Sequence, residues 1–288
     1  MSTVVDRHSA TLNRDGWCVI ERALDPALLC ALEADLVEPF AKTPLCQGAF
    51  YGERTRRFGS LLTRSPLAQQ LVIHPLILNV VQQILLPWCD RIALNLTQAI
   101  EIHPGALPQL PHRDQDMWAG PKGSLEYLVN VMWPLTPFTR ENGGTRLWTG
   151  SQCDQDAPAP PEDEAVVPHI SSGDALLFLG STLHGGGGNV SDAPRRGIVV
   201  SYCLGWIKPF ELQWLVYPPA VARHFSPELA ALVGYAQHRP NLGNVEGQCP
   251  SVLLLDHVST FLPAIDALRP DQAEAAELFV RSQMGDMG

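Results

Sequence analysis

The sequence predicts a mainly β core, a sandwich or barrel, with helical segments on either side of it. From Arg91 onward, short runs such as IALNLTQAIEI, LVNVMWPL, DALLFLG and GIVVSYCLGW follow one another. They are rich in β-branched and aromatic residues and are separated by Gly, Pro, Asn and Asp, which marks strands. No long helical pattern alternates with them, which disfavours a parallel doubly wound sheet. The chain before Arg91 and after Val216 carries apolar residues at helical spacing instead.

In chain order, Asp25-Pro26 reads as an N-cap followed by a first-turn proline. Leu28, Leu29, Leu32 and Leu36 then recur on one face, which predicts a helix over roughly Pro26 to Phe40. In SPLAQQLVIHPLILNVVQQIL the His74-Pro75 pair separates two helices, because a residue before proline is pushed out of the helical region. The first third is therefore expected to be mostly helical. The acidic, proline-rich CDQDAPAPPEDEAVV reads as a solvated excursion between strands. Beyond Pro218, Ser226-Pro227 starts a helix in SPELAALVGY. No repeat or linker divides the chain. A single domain over 1–288 is expected, with 1–90 mostly helical, 91–216 the β core and 217–288 a helical C-terminal part.

Composition narrows the function classes. A formal net charge of −10 and the lack of a Lys/Arg stripe argue against a nucleic-acid surface. The polar start MSTVVDRHSATLNRDGW has no apolar run of signal-peptide type, so a cytoplasmic chain is expected. The greasiest stretch is interrupted by His74, Pro75 and a polar Asn79/Gln82/Gln83 face, which predicts a buried helix and no membrane span. Seven cysteines without a C-x-x-C pair (Cys18, Cys30, Cys46, Cys89, Cys153, Cys203 and Cys249) suit free thiols.

The chemistry concentrates in PHRDQDMW and STLHGGGGN. Side chains two apart on an extended strand point the same way, so His112 and Asp114 can grip one ion from one side. His184, just after the strand GDALLFLGST, supplies a third donor. Two imidazoles and one carboxylate leave coordination positions open, the arrangement of non-haem iron(II) oxygenases. With nine histidines in the chain, His-x-Asp arises by chance about half a time, so the context of both strand ends carries the reading.

One hairpin after His184 stand Arg195 and Arg196. A guanidinium can neutralise a carboxylate bidentately in a dry pocket, and strand alternation lets only one of the two face inward. Trp118, Met117, Trp133 and Phe138 lie near the ligand segments and are candidates to line an apolar substrate pocket. Arg54, Arg56 and Arg57 read as surface charges, with contact to an anionic substrate or the co-substrate as the alternative. The remaining histidines lack a paired acid at ligand spacing and read as surface or satisfied core residues, His103 being the least secure of them.

Several motifs in order make the chain resemble a known family. They are His112-x-Asp114, the Asn-Gly-Gly-Thr and Gly-Ser of ENGGTRLWTGSQ, Gly-Asp-x-Leu-x-Phe before His184, and Asn189 followed by Pro194-Arg195. Together they resemble the phytanoyl-CoA dioxygenase (PhyH-like) superfamily of Fe(II)/2-oxoglutarate-dependent oxygenases, and the opening DGWCVIERAL and the tail are similar to its natural-product-modifying branch.

The resemblance implies a double-stranded β-helix, a cupin-like jelly roll, with helices packed around it. It implies His112, Asp114 and His184 as catalytic iron ligands, with Fe(II), 2-oxoglutarate and O2 as the reacting set. Arg195, eleven residues after the distal histidine, is the implied co-substrate arginine. Gln109, Thr145 and Asn130 match positions near the co-substrate. The implied reaction couples oxidative decarboxylation of 2-oxoglutarate to hydroxylation, or a related C–H oxidation, of a small apolar secondary metabolite. Because Asp114 keeps the carboxylate that related halogenases lack, a hydroxylase and not a halogenase is implied. Thr149-Gly150-Ser151-Gln152 replaces the commoner Pro-Gly-Ser-His and reads as a turn distant from the ligands. The expected partner is a small-molecule substrate, with no nucleic acid and no membrane, and the assembly is open between monomer and homodimer. The rival readings are an acyl-CoA hydroxylase, a cupin-type dioxygenase with no role for Arg195, and a non-enzymatic jelly roll.

Overall fold

The computed structural model describes residues 2–154, 160–257 and 259–285. The chain divides into a larger unit ending at Val216 and a smaller one beginning at Tyr217.

Among the described residues, eight strands carry the larger unit: β1 (Trp17–Ile20), β2 (Thr55–Phe58), β3 (Ile92–Ile102), β4 (Leu128–Pro134), β5 (Thr145–Leu147), β6 (Ala175–Leu179), β7 (His184–Gly186) and β8 (Arg195–Leu204). Six of them form one antiparallel sheet in the order β1-β6-β4-β8-β3-β2, and β5 pairs with β7 in a second. This is a jelly-roll core. The four runs that predicted strands are β3, β4, β6 and β8, the inner four of the large sheet. Their near-continuous hydrophobicity follows from burial on both faces, as in LVNVMWP, where every residue is buried.

The inward face carries Ile100, Ile102, Met132, Leu176, Phe178 and Val199, which pack together as one core cluster. The opposite face carries Trp133 and Tyr202. Tyr202 donates its hydroxyl to the Val72 carbonyl at 2.7 Å, and the Trp133 ring lies 5.7 Å from that of His74.

Helices α1 (Ser2–Asp15), α2 (Pro26–Lys42), α3 (Leu61–Arg64), α4 (Ala68–Val72) and α5 (Pro75–Leu85) fill the first third, and α6 (Gln213–Val216) ends the unit. The Asp25 carboxylate accepts from Ala27 N, capping α2 as predicted. His74 separates α4 from α5 and caps the latter. Helix α5, the greasiest stretch, packs on α1, β4 and β8. No helix among the described residues is long and apolar enough to cross a membrane.

The first third also supplies β1 and β2, the two edge strands, which the helical reading of that region missed. Each has four residues, too few for a period of two to stand out, and its pairing is with distant chain. Helix α1 falls in the stretch expected to be mostly helical; its residues are mostly polar, and Leu12 on it is fully buried.

The smaller unit contains α7 (Pro219–Ala222), α8 (Pro227–Leu232) and α9 (Pro270–Gly285). Ser226 caps α8 through Leu229 N at 3.2 Å, as its sequence predicts. In the acidic, proline-rich segment, residues 155–159 lie outside the described ones, and Glu162–Glu164 form one exposed 3-10 turn.

Candidate metal centre

His112 and His184 are brought together by main-chain pairing. His112 N donates to His184 O at 2.9 Å and His184 N donates to His112 O at 3.0 Å, an isolated antiparallel bridge beyond the end of β3. Arg113 is extended, with φ −114° and ψ 125°, so Asp114 returns to the side of His112 and opens a short 3-10 turn. Arg113 itself points the other way and donates to the carbonyls of Ser181 and Ser151.

The three donor groups face one another. One ligand-type atom from each of His112, Asp114 and His184 lies within 4.8 Å of the others, the only such cluster among the described residues. His112 Nε2 is 3.5 Å and His184 Nε2 3.6 Å from Asp114 oxygens. Each imidazole is oriented through its other nitrogen, since His112 Nδ1 meets Leu110 O at 2.8 Å and His184 Nδ1 meets Thr182 O at 3.1 Å. A proton held there by a carbonyl leaves the Nε2 lone pairs pointing into the cluster. Asn130 Nδ2 donates to Asp114 Oδ2 at 2.8 Å and fixes the carboxylate.

Burial opposes charge on Asp114, but the two imidazoles and the Asn130 amide outweigh it and hold its pKa below the ordinary carboxylate value. Burial lowers the pKa of His184 to about 4, which keeps it neutral near pH 7, the form that ligates metals.

The cluster opens into a cavity of about 380 Å³. Arg195, Thr145, Gln109 and Asn130 all line it, and so does Arg57. Arg195 is 2% exposed and donates through Nη2 to Gly143 O at 2.6 Å, while its Nε and Nη1 have no partner. Its guanidinium sits 3.9 Å from the centre of the Phe138 ring. Burial, with Arg57 adding like charge, lowers its pKa to about 9. Arg196 points to the opposite face of β8 and pairs with Glu101 at 2.6 Å. The carbonyl of the Gln109 side chain accepts from Gly186 N at 3.2 Å, which leaves its amide nitrogen to donate.

Of the four candidate pocket residues, Met117 lines the cavity. Trp133 does not, because it alternates with the inward-facing Asn130 and Met132 and lies against His74. Phe138 is fully buried and supports Arg195 from beneath. Trp118 stacks against Tyr127 and Phe210, and it is Phe210 that lines the cavity.

Two further expectations are corrected. Arg57 is no surface charge: it lines the cavity, and burial depresses its pKa although Tyr51 and Asp114 oppose this. The β2 strand, missed from the sequence, is what turns it inward. Arg56, on the other face, pairs with Glu101, to which His103 also bonds at 2.7 Å; Arg54 donates to Pro104 O. The Thr149–Gln152 turn is not distant from the donor residues either. Ser151 O accepts from Arg113 and Ser151 Oγ from Leu183 N at 2.9 Å, so the turn braces the residue next to each histidine.

Sequence and structure comparisons agree with this geometry. The family model for phytanoyl-CoA dioxygenase (PhyH) matches residues 12–197, which includes β1, all three donor residues and Arg195. The dioxygenase trt7 of Aspergillus terreus is 31% identical over 240 residues, 78% of this chain and 82% of that protein. Among solved structures, the epimerase SnoN in complex with Fe3+, alpha ketoglutarate and nogalamycin RO shares the fold at a TM-score of 0.60 and 19% identity, covering 75% of this chain and 90% of that one. HygX of Streptomyces hygroscopicus with nickel, 2-oxoglutarate and hygromycin B does so at 0.57 and 15%, covering 70% and 88%. The chain is therefore a member of the phytanoyl-CoA dioxygenase (PhyH) family.

Proposed function

We propose that this protein is an Fe(II)- and 2-oxoglutarate-dependent oxygenase that hydroxylates, or otherwise oxidises a C–H bond of, a small apolar organic molecule. The observation that carries this reading is one cavity holding both a His-Asp-His cluster and a buried guanidinium with two unpaired N–H positions.

The residues fit the metal. Both imidazoles are held by carbonyls at Nδ1, so that Nε2 is the ligating atom, and Asp114 is held by Asn130. His112, Asp114 and His184 would hold the ion on one side and leave the cavity side for exchangeable ligands. When bound, ferrous iron supplies oxygen activation coupled to oxidative decarboxylation of the 2-oxo acid.

The residues also fit the co-substrate. A buried unpaired charge is costly, and a carboxylate relieves that cost for Arg195. The Thr145 hydroxyl and the Gln109 amide add hydrogen bonds. 2-Oxoglutarate has two carboxylates, and the cavity has two guanidiniums, Arg195 and Arg57. Arg195 pairs with the remote carboxylate, and Arg57, which feels Asp114 electrostatically, with the one near the cluster. Ile100, Ile102 and Phe178 exclude water from this end.

For the primary substrate, an apolar molecule suits the lining better than an acyl-CoA. The cavity's arginines are Arg195 and Arg57, both assigned above to 2-oxoglutarate, and its other charged residues, Asp114 and Glu211, are acidic. Nothing in that set would neutralise the phosphates of a CoA thioester. Anaerobic titration with iron(II) and 2-oxoglutarate tests the reading through the weak visible charge-transfer band of the chelate. The wild type should show it and His184→Ala should not. A wild type without the band would refute the assignment.

A further inference from the structure

Phe50 and Tyr51 are large, exposed apolar side chains (38% and 49%) at the opening of the same cavity. They ride on the connection between α2 and β2, which is closed at its base by Cys46 N donating to Thr55 O at 2.8 Å. Within it, Gly52 N donates to Gly48 O at 3.0 Å, a single turn whose two ends are both left-handed, with φ +93° at Gly48 and +82° at Gly52. A Cβ at Gly48 would meet nothing within 4 Å, and one at Gly52 only Thr55 Cγ2 at 3.7 Å. Glycine is required there by backbone conformation and not by space. The turn presents its two aromatic residues in a fixed direction.

That direction is the metal centre. The Phe50 ring stands edge-on to the His112 imidazole, with centroids 4.9 Å apart and planes at 69°. Tyr51 lies 5.6 Å from Phe50 and receives the Arg57 guanidinium over its ring at 5.2 Å. Other apolar walls of the opening are Met117 and Phe210, which are also exposed. The Phe210 backbone N–H is fixed by Asn95 Oδ1 at 2.8 Å, beside the bulge where β3 shifts register on β8. Exposed aromatic area on a conformationally fixed turn contributes little to the core, but it offers a stacking surface next to a ligand histidine.

We propose that Phe50, carried on the Gly48–Gly52 turn against His112, is a positioning residue that seats the apolar face of the substrate over the His-Asp-His cluster. This rests on the cavity being the substrate site of the oxygenase described above.

The test uses the whole metal-free protein and a neutral solvatochromic naphthalene ketone, prodan, as the probe. Blue-shifted emission should saturate with the wild type. Affinity should fall about tenfold in Phe50→Ala, the loss expected for one aromatic contact, and recover in Phe50→Leu. Trp88→Ala, which removes an exposed aromatic of the same unit that lines no part of this cavity, should leave the affinity unchanged. Equal affinity of wild type and Phe50→Ala, or an equal fall in Trp88→Ala, would overturn the proposal. The probe titration needs no iron, so it is independent of the chelate band: loss of the band with the Phe50 effect intact refutes the oxygenase reading alone, and the reverse refutes the Phe50 role alone.

Discussion

His112 and His184 exchange both of their main-chain hydrogen bonds with each other, so two donor residues far apart in sequence are held by backbone and not by their side chains. Truncating either imidazole therefore removes a donor without removing the scaffold. The carboxylate between them depends on a side chain instead. Asn130 holds Asp114 Oδ2, and it projects from β4, a strand of the large sheet. Asn130→Ala should weaken iron(II) binding roughly 10–100-fold, the usual cost of losing a partner that orients a ligand. Metal titration followed by isothermal calorimetry checks this, and an unchanged affinity would show that Asp114 needs no such support.

Arg195 and Arg196 are adjacent on β8 and face opposite sides of the sheet, and their variants should separate cleanly. Arg195→Met removes a buried, half-partnered charge, so the unloaded protein should be no less stable than wild type. Its 2-oxoglutarate half-saturation should rise at least about tenfold, the value of one charge-assisted contact. Arg196→Ala removes a partner of the almost fully buried Glu101, which keeps Arg56 and His103. A stability loss of about 1 kcal/mol, discounted for the partial exposure of Arg196, is expected, with 2-oxoglutarate saturation unchanged. Thermal melts and succinate release at varied 2-oxoglutarate distinguish the two.

The alternation of β8 was legible in the sequence as a rule but not as a choice, because the residues alone show that one arginine faces inward without showing which. The resemblance pointed to Arg195, and it is Arg195 that lines the cavity. Long, doubly buried strands such as β3 and β8 were legible because burial on both faces writes a continuous apolar run. Four-residue edge strands write almost nothing, and with β2 unread, Arg57 could not be placed in the cavity. The Ser151 turn was misjudged for a related reason. Its closeness to Arg113 and Leu183 comes from the bridge between His112 and His184, a tertiary pairing with no local signature. Trp133 failed as a pocket residue because nearness in sequence to ligand strands does not decide which face a side chain takes.

Gly197 is small for a reason that reaches Arg195, the arginine proposed to bind the co-substrate. A Cβ built there would lie 2.6 Å from Phe138 Cζ and 3.2 Å from Trp133 O, and Phe138 is the ring beneath the Arg195 guanidinium. Gly197→Ala should therefore push Phe138 and tilt Arg195 with it. Overpacking of this kind costs about 1–3 kcal/mol. The distinguishing expectation is a second effect, a raised 2-oxoglutarate half-saturation, which a simple loss of packing elsewhere in the sheet would not produce. Urea unfolding and co-substrate saturation measured on the same preparation check both.

Glu126 should make stability depend on pH. Its carboxyl is enclosed just before β4, accepts from Ser181 Oγ and from Leu128 N, and burial pushes its pKa up to about 7 although those hydrogen bonds favour the charged form. The unfolded carboxyl titrates near 4.5. Between the two values the folded state binds the proton and the unfolded state does not, so stability falls as pH rises. The contribution is fully present below about pH 4.5 and is lost as pH rises through about 7. The size is on the order of 1–3 kcal/mol, given that the residue retains some surface. Glu126→Gln keeps the shape and an acceptor for Leu128 N but cannot ionise. The wild type should lose stability between pH 5.5 and 8 while the variant loses less by that amount. Parallel slopes in the two proteins would mean that Glu126 is charged in the folded state throughout.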